Sequence, residues 1–373
     1  MGKKAKTISF WCLFILIDLF IAGVISEAWT RLFIPVKNIC WEMDEKLGII
    51  RCPNQRTYGY VENDYSNILI TNSHGFHDIE RNKVKDPGTY RIHVYGDSII
   101  AGEGVQIKDT IPSLLEIHLN SEDFPYKFEV FNMSSVDSTN AELITYEKIG
   151  AGYYPDLVVC YFMDDFDDNI IDTHSKVYYP YYELDEGGEL VYIPPVLKDT
   201  STLWERFKKS SSLYRLLANK LLESKLYHNM TELGEKLLYY SRKLIESGDA
   251  IEDPSEWRRK ILIQKSWPLT LRVIELFRDE VEKNGSKFVL VDGKIFNDLN
   301  VGTVYSNKDL EAFCKQKNIN YIPVYDLHDK LMFSSNKSEY FFKDNHPTHL
   351  GNKELSLVLA EGIRKILKKD NKL

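Results

Sequence analysis

The chain has 373 residues and a net charge of −8, and 43% of its residues are hydrophobic, enough for a sizeable core. It has no basic face outside the extreme N-terminus, which argues against nucleic acid as a partner. Five cysteines are too few for a disulfide framework. We expect Cys160 and Cys314 to be buried thiols, whereas Cys40 and Cys52 pair only if their region is oxidised.

The first predicted element is a membrane helix over residues 8–25, which follows lysines at positions 3, 4 and 6. A cleaved signal peptide is the competing interpretation, but the apolar run is long and no clean cleavage site follows. The positive-inside rule puts the lysines in the cytoplasm and everything after residue 29 outside. Asp18 is costly at this depth, which leaves two alternatives: a contact with another membrane protein, or a hydrated carboxylate in a single anchor.

Beyond a turn-rich lead-in over 30–90, apolar runs alternate with helical patterns. This alternation predicts a parallel sheet with right-handed crossovers, in a domain made of 91–169 and 269–373. Predicted strands cover 91–95, 127–132, 155–162, 287–291 and 321–326, and predicted helices cover 111–119, 141–150, 269–283, 309–317 and 354–367.

An insertion over 170–268 interrupts the alternation and predicts a lid or a partner surface. It begins with a tyrosine-rich hairpin over 178–193 and includes a helix over 212–222. Its tyrosines either stack on a sugar or simply pack the hairpin.

The first predicted sheet strand ends in Gly96-Asp97-Ser98, and small residues and glycines then lead to a helix. A strand that breaks at glycine, presents a hydroxyl and turns into a helix is one way in which open α/β sheets build a nucleophile site. Because Gly-Asp-Ser is also common in plain turns, the motif needs a base elsewhere in the chain.

A candidate base comes just before the last predicted helix, where Asp344 and His346 stand two residues apart and His349 is a second candidate. A hydroxyl nucleophile needs a base within hydrogen-bond reach and a carboxylate on the other nitrogen of that base. This loop can reach the sheet edge at which Ser98 lies, because sites in open α/β sheets form at the carboxyl ends of the strands.

The Gly-Asp-Ser motif at 96–98, the Pro-Asp pair at 155–156 and the Asp-Asn-His motif at 344–346 together resemble the GDSL/SGNH hydrolase superfamily. The resemblance covers most of 65–367 apart from the insertion. It implies a flavodoxin-like three-layer sandwich with a parallel five-stranded sheet, here joined by one N-terminal transmembrane helix and the helical and hairpin insertion. The family often has its acid three residues before the histidine, whereas the gap here is two.

The resemblance implies that Ser98 is the nucleophile, that His346 is its base, and that Asp344 orients the imidazole. The reaction would be acyl transfer through an acyl-serine, on acyl esters of a cell-surface glycan or lipid-linked sugar. Water as acceptor makes the protein an esterase, and a sugar hydroxyl makes it an O-acyltransferase. No cofactor and no metal is expected.

The resemblance also implies an oxyanion hole, at which this sequence departs from the family. Asp137 or Ser138 stands where the family has a glycine, and Asp164 stands where it has an asparagine. An ionised carboxylate cannot donate a hydrogen bond, and a lost donor of this kind costs about 10²–10³ in rate. Either burial protonates Asp164, or Asn140 or Asn169 substitutes, or the site is degenerate.

The alternative function is therefore a catalytically silent binding or assembly module for a membrane partner. A nucleotide-binding domain is disfavoured because the glycines after residue 96 lack a Gly-Lys-Ser/Thr pattern. A metal site in the acidic run over 164–168 is disfavoured because the run lacks the alternating ligands and mid-loop glycine of an EF-hand.

Overall fold

The computed structural model describes residues 3–33, 39–61, 64–134, 138–163, 179–197, 202–222, 254–294 and 306–369. These residues form two units. One contains the described parts of 1–38 and 199–234, and the other contains the described parts of 39–198 and 235–373.

The larger unit holds all the described strands and most of the helices. Its strands are β1 (Trp41–Asp44), β2 (Gly48–Arg51), β3 (Arg56–Val61), β4 (Tyr65–Ile70), β5 (Thr89–Gly96), β6 (Lys127–Asn132), β7 (Leu157–Met163), β8 (Tyr181–Leu184), β9 (Leu190–Ile193), β10 (Lys287–Lys294) and β11 (Asn320–Pro323). The described α-helices of the two units, numbered together along the chain, are α1 (Lys3–Phe33), α2 (Ser98–Ala101), α3 (Ile111–Asn120), α4 (Thr139–Lys148), α5 (Leu203–Ser210), α6 (Ser212–Leu222), α7 (Pro254–Lys283), α8 (Asn307–Gln316), α9 (Tyr325–Met332), α10 (Lys337–Tyr340) and α11 (His349–Lys369).

The central sheet has five parallel strands in the order β11-β10-β7-β5-β6. Numbered by chain order and read from the β6 edge, this is the 2-1-3-4-5 order of flavodoxin-like folds. The sequence-based prediction of a parallel five-stranded α/β sheet is therefore confirmed. The strand order first crosses over between β5 and β7, so the carboxyl end of β5 lies at a topological switch point.

Apolar residues on both faces of the sheet account for its three layers. On one face, Ile92 and Val94 of β5 belong to a core cluster with residues of α3 and α11. On the other face, Tyr95 packs in a second cluster with residues of α4 and α7. Helix α7 is longer than the predicted helix over 269–283, because it continues through Pro268.

The lead-in contains two antiparallel hairpins, β1–β2 and β3–β4. A disulfide joins Cys40 to Cys52 beside β1 and β2, with their Cα atoms 5.3 Å apart. The pairing that the sequence left open is thus formed, and Cys160 and Cys314 are buried thiols outside any disulfide, as expected.

The insertion includes the hairpin β8–β9, which Asn140 of α4 fastens by two hydrogen bonds to the main chain of Tyr182. The ring of Tyr182 packs edge-to-face on that of Tyr192, and its hydroxyl donates to Glu147. These tyrosines therefore pack the hairpin, which is the plainer of the two sequence-based interpretations.

The smaller unit contains α1, α5 and α6. Residues Trp11–Phe33 of α1 form a stretch that is long and apolar enough to cross a membrane. Asp18 lies exposed on this helix, within the apolar run.

Candidate active site

The Ser98 hydroxyl is presented by a sharp turn at the carboxyl end of β5. Asp97 caps the one-turn helix α2 by accepting a hydrogen bond from the N–H of Ile99 at 2.9 Å. The turn ends at Gly102, whose φ of 78° is a left-handed conformation that favours glycine. As the first residue of α2, Ser98 has a backbone N–H with no acceptor inside the helix.

His346 is presented by a tight loop that closes on itself. A bridge pairs Phe341 with Pro347, and the N–H of Phe342 donates to the carbonyl of His346 at 2.8 Å. Asn345, at the tip, adopts a φ of 70°, which asparagine tolerates better than most residues. The loop geometry therefore fixes the backbone on both sides of the imidazole.

These two turns meet. The Oγ of Ser98 lies 2.8 Å from Nε2 of His346, which is hydrogen-bond distance across 248 residues of sequence. The Nδ1 of His346 lies 3.0 Å from Oδ2 of Asp344, in a close contact that lacks the direction of a full hydrogen bond. For Nε2 to accept the serine proton, the imidazole must carry its own proton on Nδ1, the side that faces Asp344.

Asp344 is oriented by its own loop as well. Its Oδ1 accepts the N–H of His346 at 3.1 Å, so the two-residue spacing lets one carboxylate contact both the backbone and the ring of that histidine. The side chains of His346 and Asp344 are 22% and 28% exposed, which leaves the pair open to a substrate from solvent.

Asp64, which the sequence did not single out, supports this loop from outside. Its carboxylate accepts the N–H of Lys343 at 2.9 Å and that of Asp344 at 3.1 Å. The neighbouring ring of Tyr65 packs against Phe342, with centroids 4.8 Å apart. The β3–β4 hairpin therefore braces the loop that carries His346.

His349, the second candidate base, is occupied elsewhere. Its Nδ1 lies 2.9 Å from Oδ1 of Asp109, and its side chain is 52% exposed. The structure thus brings His346, rather than His349, to the serine.

The oxyanion region is only partly described. Ser138 is the N-cap of α4, and its hydroxyl accepts the N–H of Ala141 at 3.3 Å. Asn140 is buried and uses its amide on Tyr182, so in this arrangement it is not the substitute oxyanion donor that the sequence allowed for. Asp137 and Asp164 lie outside the described residues, as do Asn169 and the rest of the acidic run over 164–168.

Two further buried polar residues lie on elements that contact β5. Asn132, at the end of β6, donates to the carbonyl of Ile100 at 3.0 Å and so ties α2 to the neighbouring strand. Glu142 of α4 is fully buried and accepts the Cys160 thiol at 3.3 Å. Burial, with a smaller effect from the charge of Asp97, raises the pKa of Glu142 to about 8.

No group of three or more histidine, cysteine or acidic side chains is arranged to hold a metal ion among the residues that the structure describes. Around Ser98, the geometry supplies a hydroxyl, an imidazole and a carboxylate in series, the set used for nucleophilic acyl transfer.

No family model matches the sequence, and no curated protein matches it closely enough to count. Solved structures of esterases and lipases are similar at a distance. TesA shares 14% identity over 75% of this chain and 99% of its own, with a TM-score of 0.39. The esterase EstA from Pseudoalteromonas sp. shares 11% over 74% of this chain and 98% of its own, also with a TM-score of 0.39.

A GDSL-like lipase from Bacteroides thetaiotaomicron shares 12% identity over 75% of this chain and 88% of its own, with a TM-score of 0.34. Similarities this weak do not decide the activity of the chain, for which the geometry around Ser98 is the stronger ground.

Proposed function

We propose that this protein is an extracytoplasmic serine esterase or O-acyltransferase that acts on acyl esters of a cell-surface glycan or a lipid-linked sugar. The observation that carries the proposal is the 2.8 Å contact between Ser98 Oγ and His346 Nε2, with Asp344 3.0 Å from the other ring nitrogen. The resemblance of the three sequence motifs to the GDSL/SGNH superfamily agrees with it.

In the first half-reaction, Ser98 Oγ attacks the ester carbonyl carbon while the hydroxyl proton passes to His346 Nε2. The negative charge that develops on the carbonyl oxygen needs hydrogen-bond donors, of which the Ser98 N–H supplies one. When the intermediate collapses, the bond to the leaving oxygen breaks and His346 returns the proton to that oxygen. An acyl-serine and a free alcohol result.

In the second half-reaction, an acceptor hydroxyl loses its proton to His346 and attacks the acyl-serine carbonyl. The bond to Ser98 Oγ breaks, and His346 reprotonates the serine. Water as acceptor releases an acid, and a sugar hydroxyl yields a new ester. Asp344 stabilises the positive charge that His346 carries between these two proton transfers.

Two features support the location outside the cytoplasm. Three lysines precede the apolar stretch of α1, which favours a cytoplasmic N-terminus. The Cys40–Cys52 disulfide, just after α1, fits an oxidising compartment. A membrane tether favours substrates on the same surface, because confinement raises their effective concentration around the site.

Ester turnover by the full chain in nanodiscs tests the proposal, with acetylated oligosaccharides and a chromogenic acetyl ester as substrates. We expect Ser98→Ala and His346→Ala to abolish turnover. Ser121→Ala and His349→Ala, which alter a serine and a histidine outside the contact, serve as matched controls that retain it. Undiminished turnover in Ser98→Ala contradicts the proposal, and a wild type inactive on every ester favours the silent binding module.

A further inference from the structure

The smaller unit contains a helical pair whose position is set by one carboxylate on α1. Glu27 accepts the N–H groups of Ser212 and Leu213 at 2.8 and 2.9 Å and the hydroxyl of Ser211 at 2.7 Å. Arg31, one turn further along α1, pairs with Glu27 and donates to the carbonyl of Ser210. Glu27 thus caps α6, and Arg31 holds the end of α5, so the junction between the two helices is fixed to α1.

The attachment point lies in the C-terminal third of the Trp11–Phe33 stretch, just past the span over 8–25 that the sequence predicts. Every residue of α1 from Trp11 to Ser26 is exposed, and Glu27 and Thr30 are the residues beyond them that lose exposure. Glu27 stands two residues after Ile25, the end of the predicted span, which is about 3 Å along a helix axis. If α1 crosses the membrane with residues 8–25, the junction of α5 and α6 therefore lies at headgroup level.

Helices α5 and α6 expose large apolar side chains. On α5 these are Leu203, Trp204 and Phe207, and their exposure ranges from 48% for Phe207 to 84% for Leu203. On α6, Leu217 and Leu221 are 61% and 58% exposed. Soluble surfaces rarely carry so many large apolar side chains together.

Ring contacts join the two apolar faces into one. The Tyr214 ring on α6 lies 5.7 Å from that of Trp204 and 6.0 Å from that of Phe207, centroid to centroid. Tyr214, Leu217 and Leu221 share one face of α6 by helical spacing. The apolar face formed by α5 and α6 is therefore continuous and carries tryptophan and tyrosine, the residues enriched where membranes meet water.

Two further features point to lipid as the occupant of this face. The sequence of α5 carries Arg206, Lys208 and Lys209 beside one acid, Glu205, a composition typical of helices that lie on anionic membrane surfaces. Exposed aromatic side chains also mark the C-terminal end of α1, where the Trp29 and Phe33 rings pack 4.5 Å apart.

We propose that α5 and α6 form an interfacial hairpin, with its apolar face inserted into the extracytoplasmic leaflet of the membrane that α1 crosses. The hairpin gives the protein a second membrane attachment. This inference depends on α1 as a membrane span and is independent of the proposed catalysis at Ser98.

Nitroxide accessibility in nanodiscs of phosphatidylcholine and phosphatidylglycerol, one full-length chain per disc, tests the proposal. In a Cys12→Ser background, with the two buried thiols left in place, labels are attached at Phe207→Cys and Leu217→Cys. Leu16→Cys, in the apolar run, reports the span itself, and Glu361→Cys, on an exposed position of α11, serves as the aqueous control. Circular dichroism checks that each labelled protein stays folded.

We expect the ratio of oxygen to nickel-chelate accessibility at positions 207 and 217 to be several-fold higher than at 361, and lower than at 16. Ratios equal to that at 361 overturn the proposal. Low accessibility of positions 207 and 217 to both reagents would mean that protein covers them. If spectra of additional discs loaded with two chains then show dipolar broadening, the apolar face binds a second copy of the chain, which overturns the proposal. If the ratio at position 16 equals that at 361, α1 does not span the membrane, and the proposal is overturned whatever the ratios at positions 207 and 217.

Discussion

Replacing Asp64 with alanine should slow the reaction of Ser98 without touching any reacting atom. The Asp64 carboxylate holds two N–H groups, at 2.9 and 3.1 Å, in the segment that carries Asp344 and leads to His346. Alanine removes both acceptors and lets the loop leave the position in which His346 Nε2 lies 2.8 Å from Ser98 Oγ.

The expected magnitude follows from these two bonds. Hydrogen bonds to charged groups contribute roughly 1.5–3 kcal/mol each when well buried. Because Asp64 is only half-buried, we take about 2 kcal/mol as the combined contribution of its two hydrogen bonds to holding the loop in place. That lowers the population of the competent loop by up to about thirty-fold. The rate at which a fluorophosphonate phosphonylates Ser98, with loss of fluoride, should fall by the same factor.

Amide hydrogen exchange distinguishes positioning from chemistry, because the amides of Lys343 and Asp344 should exchange faster in Asp64→Ala. Asp44→Ala is a matched control, since Asp44 also accepts two backbone N–H groups, those of Lys46 and Leu47, in the β1–β2 turn. It should leave the phosphonylation rate of Ser98 unchanged. An unchanged phosphonylation rate in Asp64→Ala, or an equal loss in Asp44→Ala, refutes this role for Asp64.

Three further results are expected. Asp344→Asn should lower ester turnover by about 10²–10⁴, because the imidazolium loses its partner, and turnover within tenfold of wild type would argue against that role. Glu142, with a pKa raised from 4.5 to about 8, keeps a proton that the unfolded chain releases, so stability should fall as pH rises from about 4.5 to 8 and level off above. Glu142→Gln should remove much of this pH dependence, which amounts to at most about 5 kcal/mol in the free energy of unfolding over the whole range. Thermal unfolding followed against pH measures it, and an unaltered pH dependence would contradict the assignment. Glu27→Ala should speed amide exchange at residues 212–213, since those N–H groups lose their acceptor, and unchanged exchange would mean that another group caps α6.

The sheet could be predicted from the sequence because its signals are local. Each central strand is a β-branched or aromatic run, and the crossover helices α3 and α8 show their own apolar spacing. The helix boundaries were less certain, as α7 shows, since Pro268 marks a stop in sequence but is tolerated inside the helix.

The motifs carrying Ser98 and His346 are also short and local, which is why the sequence could propose them as partners. The residues alone left both His346 and His349 as candidates, and only the family resemblance favoured His346, because the choice depends on which ring the closed loop turns toward the serine. The structure separates them by giving His349 the carboxylate of Asp109.

Residues that contact distant parts of the chain without belonging to a motif could not be found from the sequence. Asp64 supports a loop 279 residues away, and Glu27 caps a helix 185 residues away. Neither stands in a recognisable motif, so only the folded chain reveals their partners. The burial of Glu142 was hidden for a related reason, since its helix has no clear apolar face in sequence.

The most direct test of the account is the site at which a fluorophosphonate modifies the full-length protein, read by intact mass and peptide mapping. The proposed chemistry predicts one adduct, on Ser98, that is lost in Ser98→Ala and His346→Ala and kept in His349→Ala. No adduct on the wild type, or an adduct that persists in Ser98→Ala, would contradict the central claim that Ser98 is the nucleophile.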